Sequence, residues 1–308
     1  MAERIKVILD TDIGSDIDDA VALAYLLNQP RCELLGVTTG TGQPVARAEM
    51  ASAICRNVGR DDVPIHSGCP EAMLIHMRQD KAPQAAALGD WPRRRDFAEN
   101  TAVEFLRQTI RAHPGEITLL TIGPLTNAGL LFALDPEIPR LLKQMVLMCG
   151  RFFTAMQARH QLVGIVGGQG EWNAIGDPHA TAICYGNGRQ SRPARHVSYG
   201  LDVTTKCVLP ADECRQRFTA KVLQPVRDFA EVWFEQGRKG ITFHDPLAAA
   251  CIFEPDICQY REGFVTVSLA EPTMGWTVFS GNAAEKPHTV AADVDAPRFF
   301  DHYFSLVK

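Results

Sequence analysis

The stretch Ile5-Lys6-Val7-Ile8-Leu9-Asp10-Thr11-Asp12-Ile13-Gly14-Ser15-Asp16-Ile17-Asp18-Asp19-Ala20 decides how this chain reads. Its first five residues, apolar and β-branched apart from Lys6, predict a buried strand. Asp18 and Asp19 then open a helix, because acidic side chains in a first turn complement the helix dipole. Ala20, Val21, Leu23, Ala24 and Leu27 carry the apolar face of that helix inward. Between strand and helix the chain gathers Asp10, Asp12, Asp16, Asp18 and Asp19, five carboxylates within ten residues.

Working outward, residues 34–38, 63–66, 117–122 and 145–148 read as further strands, and helices fill the gaps near residues 46–58, 99–112 and 126–134. This β-α-β-α order predicts an α/β fold: a doubly wound, largely parallel central sheet with helices on both faces. Such sheets bind ligands at the carboxyl ends of their strands, so the loop after Leu9 is the first place to look. Beyond Met148 the pattern loosens. Gly164, Gly167, Gly168 and Gly170 mark a loop, Asp177-Pro178 opens a helix, and one long helical stretch runs from Ala211 to about Gln236. Helices also start near Asp245 and Ala296. Residues 264–269, 276–279 and 290–294 read as short strands forming a small appended region. With no linker or repeat in view, residues 1–308 are expected to form one domain, and the insert at residues 81–95 a lid or rim.

The chain has 308 residues, 46% hydrophobic and 22% charged, and its net charge is -5 with no long block of one sign. That offers no electrostatic footprint for nucleic acid or an anionic membrane, and a small-molecule partner is expected. The nine cysteines are scattered and never spaced C-x-x-C. Reduced thiols and a cytoplasmic location are expected, with neither signal peptide nor membrane span.

The acidic cluster is costly unless something compensates it. Two carboxylates about 4 Å apart repel by about 4 kcal/mol at an effective dielectric near 20, against a total stability of about 5–15 kcal/mol. Helix capping explains one or two aspartates, but Asp10 and Asp12 end a strand, where no cap is needed. A bound cation is the natural compensation, and oxygen donors select calcium or magnesium over zinc. An EF-hand is excluded, since Gly14 stands at its third ligand position and no Glu closes the loop.

These residues resemble the amino-terminal signature of the inosine-uridine nucleoside hydrolases, with Ser15 and Asp16 as two extra residues. Three later segments match the same family in order. They are Gly123-Pro124-Leu125-Thr126-Asn127 with Val146-Leu147-Met148 following, Glu171-Trp172-Asn173 ahead of Asp177-Pro178, and His244-Asp245-Pro246. Together they span nearly the whole chain.

The resemblance implies a Rossmann-like core and hydrolysis of the N-glycosidic bond of a ribonucleoside by a calcium-held water that Asp12 activates. Asp12, Asp19, the backbone carbonyl of Thr126 and Asp245 would ligate Ca2+, while Asp10 and Asp16 would support the loop from behind. Asp18 would hydrogen-bond a ribose hydroxyl. Gln43 stands where the family carries Asn and would still reach the sugar. Glu171 and Asn173 would hold the 5′-hydroxyl side, with Trp172 turned away into packing. His244 would stand by the leaving base as a proton donor, the competing reading being a brace for Asp245. The family's Asn ahead of Glu-x-Asn has no counterpart here, Gln169 being the only amide in that loop, and its His after the third strand is missing. Homodimers or homotetramers are implied.

Two rivals use the same residues. Asp10-Thr11-Asp12 after a first strand is also the nucleophile and acid arrangement of haloacid-dehalogenase-type phosphatases, although their later motifs are absent. A non-catalytic nucleoside or calcium sensor would share every ligand with the enzyme. Gly40-Thr41-Gly42 as a dinucleotide fingerprint fails, because Val45 replaces the third glycine.

Overall fold

The computed structural model describes residues 4–153, 170–187 and 192–308. The loop expected at Gly164, Gly167 and Gly168, with Gln169, lies outside the described residues. The first half follows the predicted alternation: β1 (Ile5–Thr11), α1 (Asp18–Asn28), β2 (Cys32–Thr39), α2 (Pro44–Asn57), β3 (Ile65–Ser67), α3 (Ala102–Ala112), β4 (Ile117–Thr121), α4 (Thr126–Leu134) and β5 (Gln144–Met148). These strands, with β6 (His196–Tyr199), pair in parallel in the order 3-2-1-4-5-6. The chain reverses its winding between β1 and β4, and at that switch point the first turns of the flanking helices splay apart and leave a crevice.

Strand side chains alternate between two cores. Val7, Leu9, Leu120, Val146, Met148, Val197 and Tyr199 enter one, while Ile8, Ile117, Leu119, Met145 and Leu147 enter the other. Both faces being covered is what makes near-continuous apolar strands stable here. On the first face α1 packs against helices His244–Cys251 and Ala296–Leu306; on the second, α4 packs against α3 and helix Pro178–Cys184.

The carboxyl-terminal half departs from expectation in three ways. β6, unread in the sequence, is four residues of which His196 and Ser198 are polar, yet it is buried on both faces between β5 and β11 (His288–Val294). The strands expected in a small appended region instead extend the main sheet, to nine strands among the described residues: β11 runs parallel to β6, β9 (Cys258–Val267) antiparallel to β11, and β10 (Thr277–Ser280) antiparallel to β9. The helical stretch expected from Ala211 to Gln236 is broken into Ala211–Arg217 and Gln224–Glu235, with Pro225 in the first turn of the second. A two-stranded antiparallel pair, β7 (Val208–Pro210) with β8 (Gly240–Thr242), ties off this excursion at its base. That pair delivers His244 to the crevice, as the Phe243 N–H donates to the Cys207 carbonyl at 2.8 Å. Among the described residues no helix is long and apolar enough to cross a membrane.

Candidate active site

The site grows from the end of β1. Asp10 is paired in register with Thr38 of β2 and Thr121 of β4. Its Oδ1 accepts from Thr38 Oγ1 at 2.6 Å and from Asn127 Nδ2 at 2.8 Å. Burial pushes its carboxyl up to about 6, with those two donors opposing. Since Asn127 Oδ1 in turn accepts the Cys69 N–H at 3.0 Å, Asp10 braces a junction behind the crevice.

The loop after Asp12 is held by Arg47 of α2, which is fully buried. Its Nε donates to the Thr41 carbonyl at 2.6 Å, Nη2 to the Lys81 carbonyl at 3.0 Å, and Nη1 to Ile13 O at 3.1 Å, to Ser15 Oγ at 2.9 Å and to the Asp12 carbonyl. The guanidinium is thus consumed by backbone rather than by carboxylates. Gly14 turns this loop at a φ of +113°, where a side chain is strained and a Cβ would also stand 2.8 Å from Met50 Sδ.

Five aspartates converge here. Asp12 Oδ2 accepts from Gln79 Nε2, and a Cβ at Gly123 would stand 2.7 Å from Asp12 Oδ1. Asp19 accepts from Thr11 Oγ1. Asp18 Oδ2 accepts the Asp245 N–H at 3.0 Å, joining the first turn of α1 to that of helix His244–Cys251. Carboxylate oxygens of Asp18, Asp19 and Asp245 lie within 4.8 Å of one another. Burial first and repulsion from the neighbouring aspartates second hold all three well above the usual carboxylate range. Burial also raises Asp12, against the nearby Arg47 charge, and lifts Asp16 to about 6.

The cavity these residues floor has a volume of about 450 Å³ and is also lined by Gln79, Glu171, Trp172, Asn173, Trp233, Arg238 and His244. Among the described residues lining it, Arg238 is the one arginine or lysine, against six carboxylates. A cluster of hard oxygens with so little cationic compensation is a fitting donor set for a divalent cation.

The remaining expected residues fall as follows. Thr126, 1% exposed at the first position of α4, turns its hydroxyl to Asp177 Oδ2 at 2.8 Å. Glu171 lines the cavity, but its carboxylate caps helix Trp172–Gly176, accepting from the N–H groups of Asn173 at 2.7 Å, Ala174 at 2.9 Å and Gly150 at 3.0 Å. Asn173 Nδ2 donates to the Ile122 and Met148 carbonyls at 3.0 and 2.9 Å. Gln43, expected at the sugar, instead accepts the Ala82 N–H at 3.0 Å and lines a neighbouring cavity. Trp172, expected in packing, is 46% exposed at the cavity and donates to Gln79 Oε1 at 2.5 Å. The His244 Nδ1 lies 2.7 Å from Thr204 Oγ1, and burial lowers its imidazole to about 4, keeping it neutral. Arg47, Gln79 and Arg238 were not singled out in the sequence, where nothing distinguishes them from the other polar residues around them.

A switch-point crevice floored by buried, mutually repelling carboxylates, three of which could hold a metal ion, is the site of an α/β enzyme. Residues 7–301 match the family model described as inosine-uridine preferring nucleoside hydrolase, and the chain belongs to that family. It is 30% identical to an Arabidopsis thaliana protein named probable uridine nucleosidase 2, with 96% of this chain and 95% of the relative covered. It is also 30% identical to uridine nucleosidase 1 of the same plant over 90% of this chain and 82% of the relative. A purine-preferring ribonucleoside hydrolase from Gardnerella vaginalis superimposes with a TM-score of 0.81 at 26% identity, 98% of each chain covered. The chain is therefore a hydrolase acting on the N-glycosidic bond of ribonucleosides, which rules out the phosphatase reading.

Proposed function

We propose that the aspartate-floored cavity is the hydrolytic centre, that its cation is calcium, and that Asp12 is the general base. The observation that carries this reading is the convergence of Asp12, Asp18, Asp19 and Asp245, buried and mutually repelling, at the carboxyl end of β1. Asp12, Asp19, Asp245 and the Thr126 carbonyl would hold the ion. When bound, calcium supplies positive charge that neutralises the cluster and grips the ribose diol.

The residues of the chain do the rest. Asp12 takes a proton from the attacking water as its oxygen bonds to the anomeric carbon and the bond to the base nitrogen breaks. Asp18 accepts from a ribose hydroxyl and fixes the sugar, so that water and anomeric carbon meet in place. The oxocarbenium-like sugar sits over a floor of negative charge, which stabilises it. With Thr204 Oγ1 donating to His244 Nδ1, the neutral ring keeps its proton on Nε2 and donates a hydrogen bond from it to the departing base, which leaves as the anion and takes its proton from water. Glu171 and Asn173 shape the 5′ side through the backbone they hold, and Asp10 and Asp16 support the loop. Uridine is the first substrate to try, because the plant relatives are named for it.

One domain spanning the chain, a homodimer or homotetramer, and a cytoplasmic setting complete the reading, the last supported by nine free cysteines. Calorimetric calcium titration tests the metal assignment. The wild type should bind one ion and Asp245→Ala should bind it at least about tenfold more weakly; identical isotherms would remove Asp245 from the site.

A further inference from the structure

The side chain of Gln79 stands between the carboxylate floor and the cavity mouth. Its Nε2 donates to Asp12 Oδ2, and its Oε1 accepts the Trp172 indole N–H at 2.5 Å. Both partners have fixed polarity: an indole only donates and an ionised carboxylate only accepts. The orientation of the amide is therefore dictated, with a donor needed at one end and an acceptor at the other. Glutamine meets both demands. Glutamate at this position would set a carboxylate against Asp12, and leucine would satisfy neither partner.

Asp12 needs such a partner. It lies among Asp16, Asp18, Asp19 and Asp245, while Arg47 reaches the Asp12 main-chain carbonyl. Gln79 occupies Oδ2, and Gly123, lacking a side chain, leaves room at Oδ1. One oxygen is pinned and the other faces a wall that only glycine clears. The segment carrying Gln79 is itself anchored: the Gln84 N–H donates to the Gly14 carbonyl at 3.1 Å, the Gln43 amide oxygen accepts from Ala82, and Arg47 reaches the Lys81 carbonyl. The rim insert is thereby tied, just after Gln79, to the acidic loop and to the start of α2.

We infer that Gln79 is a positioning residue for hydrolysis, holding the Asp12 carboxylate in its proton-accepting orientation and linking it to the Trp172 indole at the mouth. This rests on the assignment of Asp12 as general base. A nucleoside that repositions the indole alters the hold on Asp12, so occupancy at the mouth and alignment at the floor are joined through one amide.

The test is steady-state hydrolysis of uridine, or of whichever nucleoside the wild type turns over best, by the calcium-loaded enzyme and by Gln79→Leu, Gln79→Glu, Trp172→Phe and Asp12→Ala, with melting temperatures recorded alongside. A charge-assisted hydrogen bond of about 1.5–3 kcal/mol corresponds to about 10- to 150-fold. Gln79→Leu should lower kcat by that much with KM changed less than about threefold, because the alignment lost matters in the transition state more than in binding. Gln79→Glu should be worse than Gln79→Leu. Trp172→Phe, which keeps a ring and loses the N–H, should lower kcat by a smaller factor. In Gln79→Leu the Trp172 fluorescence should also lose its response to substrate. A Gln79→Leu enzyme with wild-type kcat overturns the inference, as does a loss confined to KM or matched by a collapsed melting temperature. If Asp12→Ala keeps wild-type turnover, the general-base assignment itself fails, and the two failures are separable.

Discussion

Glu171 and the trio of Asp18, Asp19 and Asp245 are buried carboxylates lining one cavity, yet the fold treats them oppositely. Glu171 accepts three backbone N–H groups, from Gly150, Asn173 and Ala174, and those donors work against the upward push of burial. Asp18 accepts one backbone N–H from Asp245 and Asp19 one hydroxyl, and repulsion from neighbouring aspartates, Asp16 among them in each case, pushes all three further up. A carboxylate satisfied by the chain is a structural element that also shapes a wall. Carboxylates left to repel one another in low dielectric carry a cost that a bound cation would relieve.

The largest expected effect separates chemistry from architecture: Asp12→Ala should reduce kcat on a ribonucleoside by about a thousandfold or more, the upper part of the range for a lost general base. Wild-type rates in that variant would sink the mechanism. Next, Gly123→Ala should cost about 10- to 100-fold in kcat, since its Cβ would stand 2.7 Å from Asp12 Oδ1 and a small displacement of a catalytic carboxylate is felt strongly. Full activity would show that Asp12 has freedom to move.

A smaller effect sharpens the comparison directly. In the metal-free protein Asp245→Asn relieves repulsion and should raise the melting temperature, while the stabilisation that calcium adds to the wild type should shrink. Glu171→Gln strips the charge from three hydrogen bonds and should destabilise by about 1.5–3 kcal/mol with or without calcium. Matching responses of the two variants to calcium in thermal scans would erase the distinction.

The smallest effect comes from a cluster with neither role. His196 and His288 are buried with ring centroids 4.8 Å apart, and burial lowers His288 to about 4 and His196 well below its usual value. Below about pH 6.5 the unfolded imidazoles take up protons that the folded ones refuse. Stability present above that pH is lost progressively as pH falls towards 4. Denaturant melts of His288→Asn, compared with wild type, should show a shallower loss across that window; parallel curves would remove the pair as its source.

Much of this was legible because local chemistry and tertiary role coincide in the first half. β1 is apolar because both faces are covered, and Asp18-Asp19 marks both a helix start and part of the site. The alternation of strands and helices from β1 to β5 and the aspartate cluster after β1 could be read in the sequence; the order of the strands in the sheet comes from the structure. β6 escaped because its four residues alternate polar and apolar over too short a run to stand out, and its burial on both faces comes from neighbours far along the chain. Arg47 and Gln79 escaped because each acts through partners set by loop conformation. Glu171 shows the converse: the motif places it at the cavity wall, but its side chain serves the helix that begins beside it.

On this reading the buried, mutually repelling aspartates hold a divalent cation required for hydrolysis. Ribose release from a panel of purine and pyrimidine nucleosides, measured with calcium, after chelation and after calcium is restored, tests it most directly. Chelation should abolish release and restored calcium return it, whereas equal release before and after thorough chelation would show that no bound cation is needed.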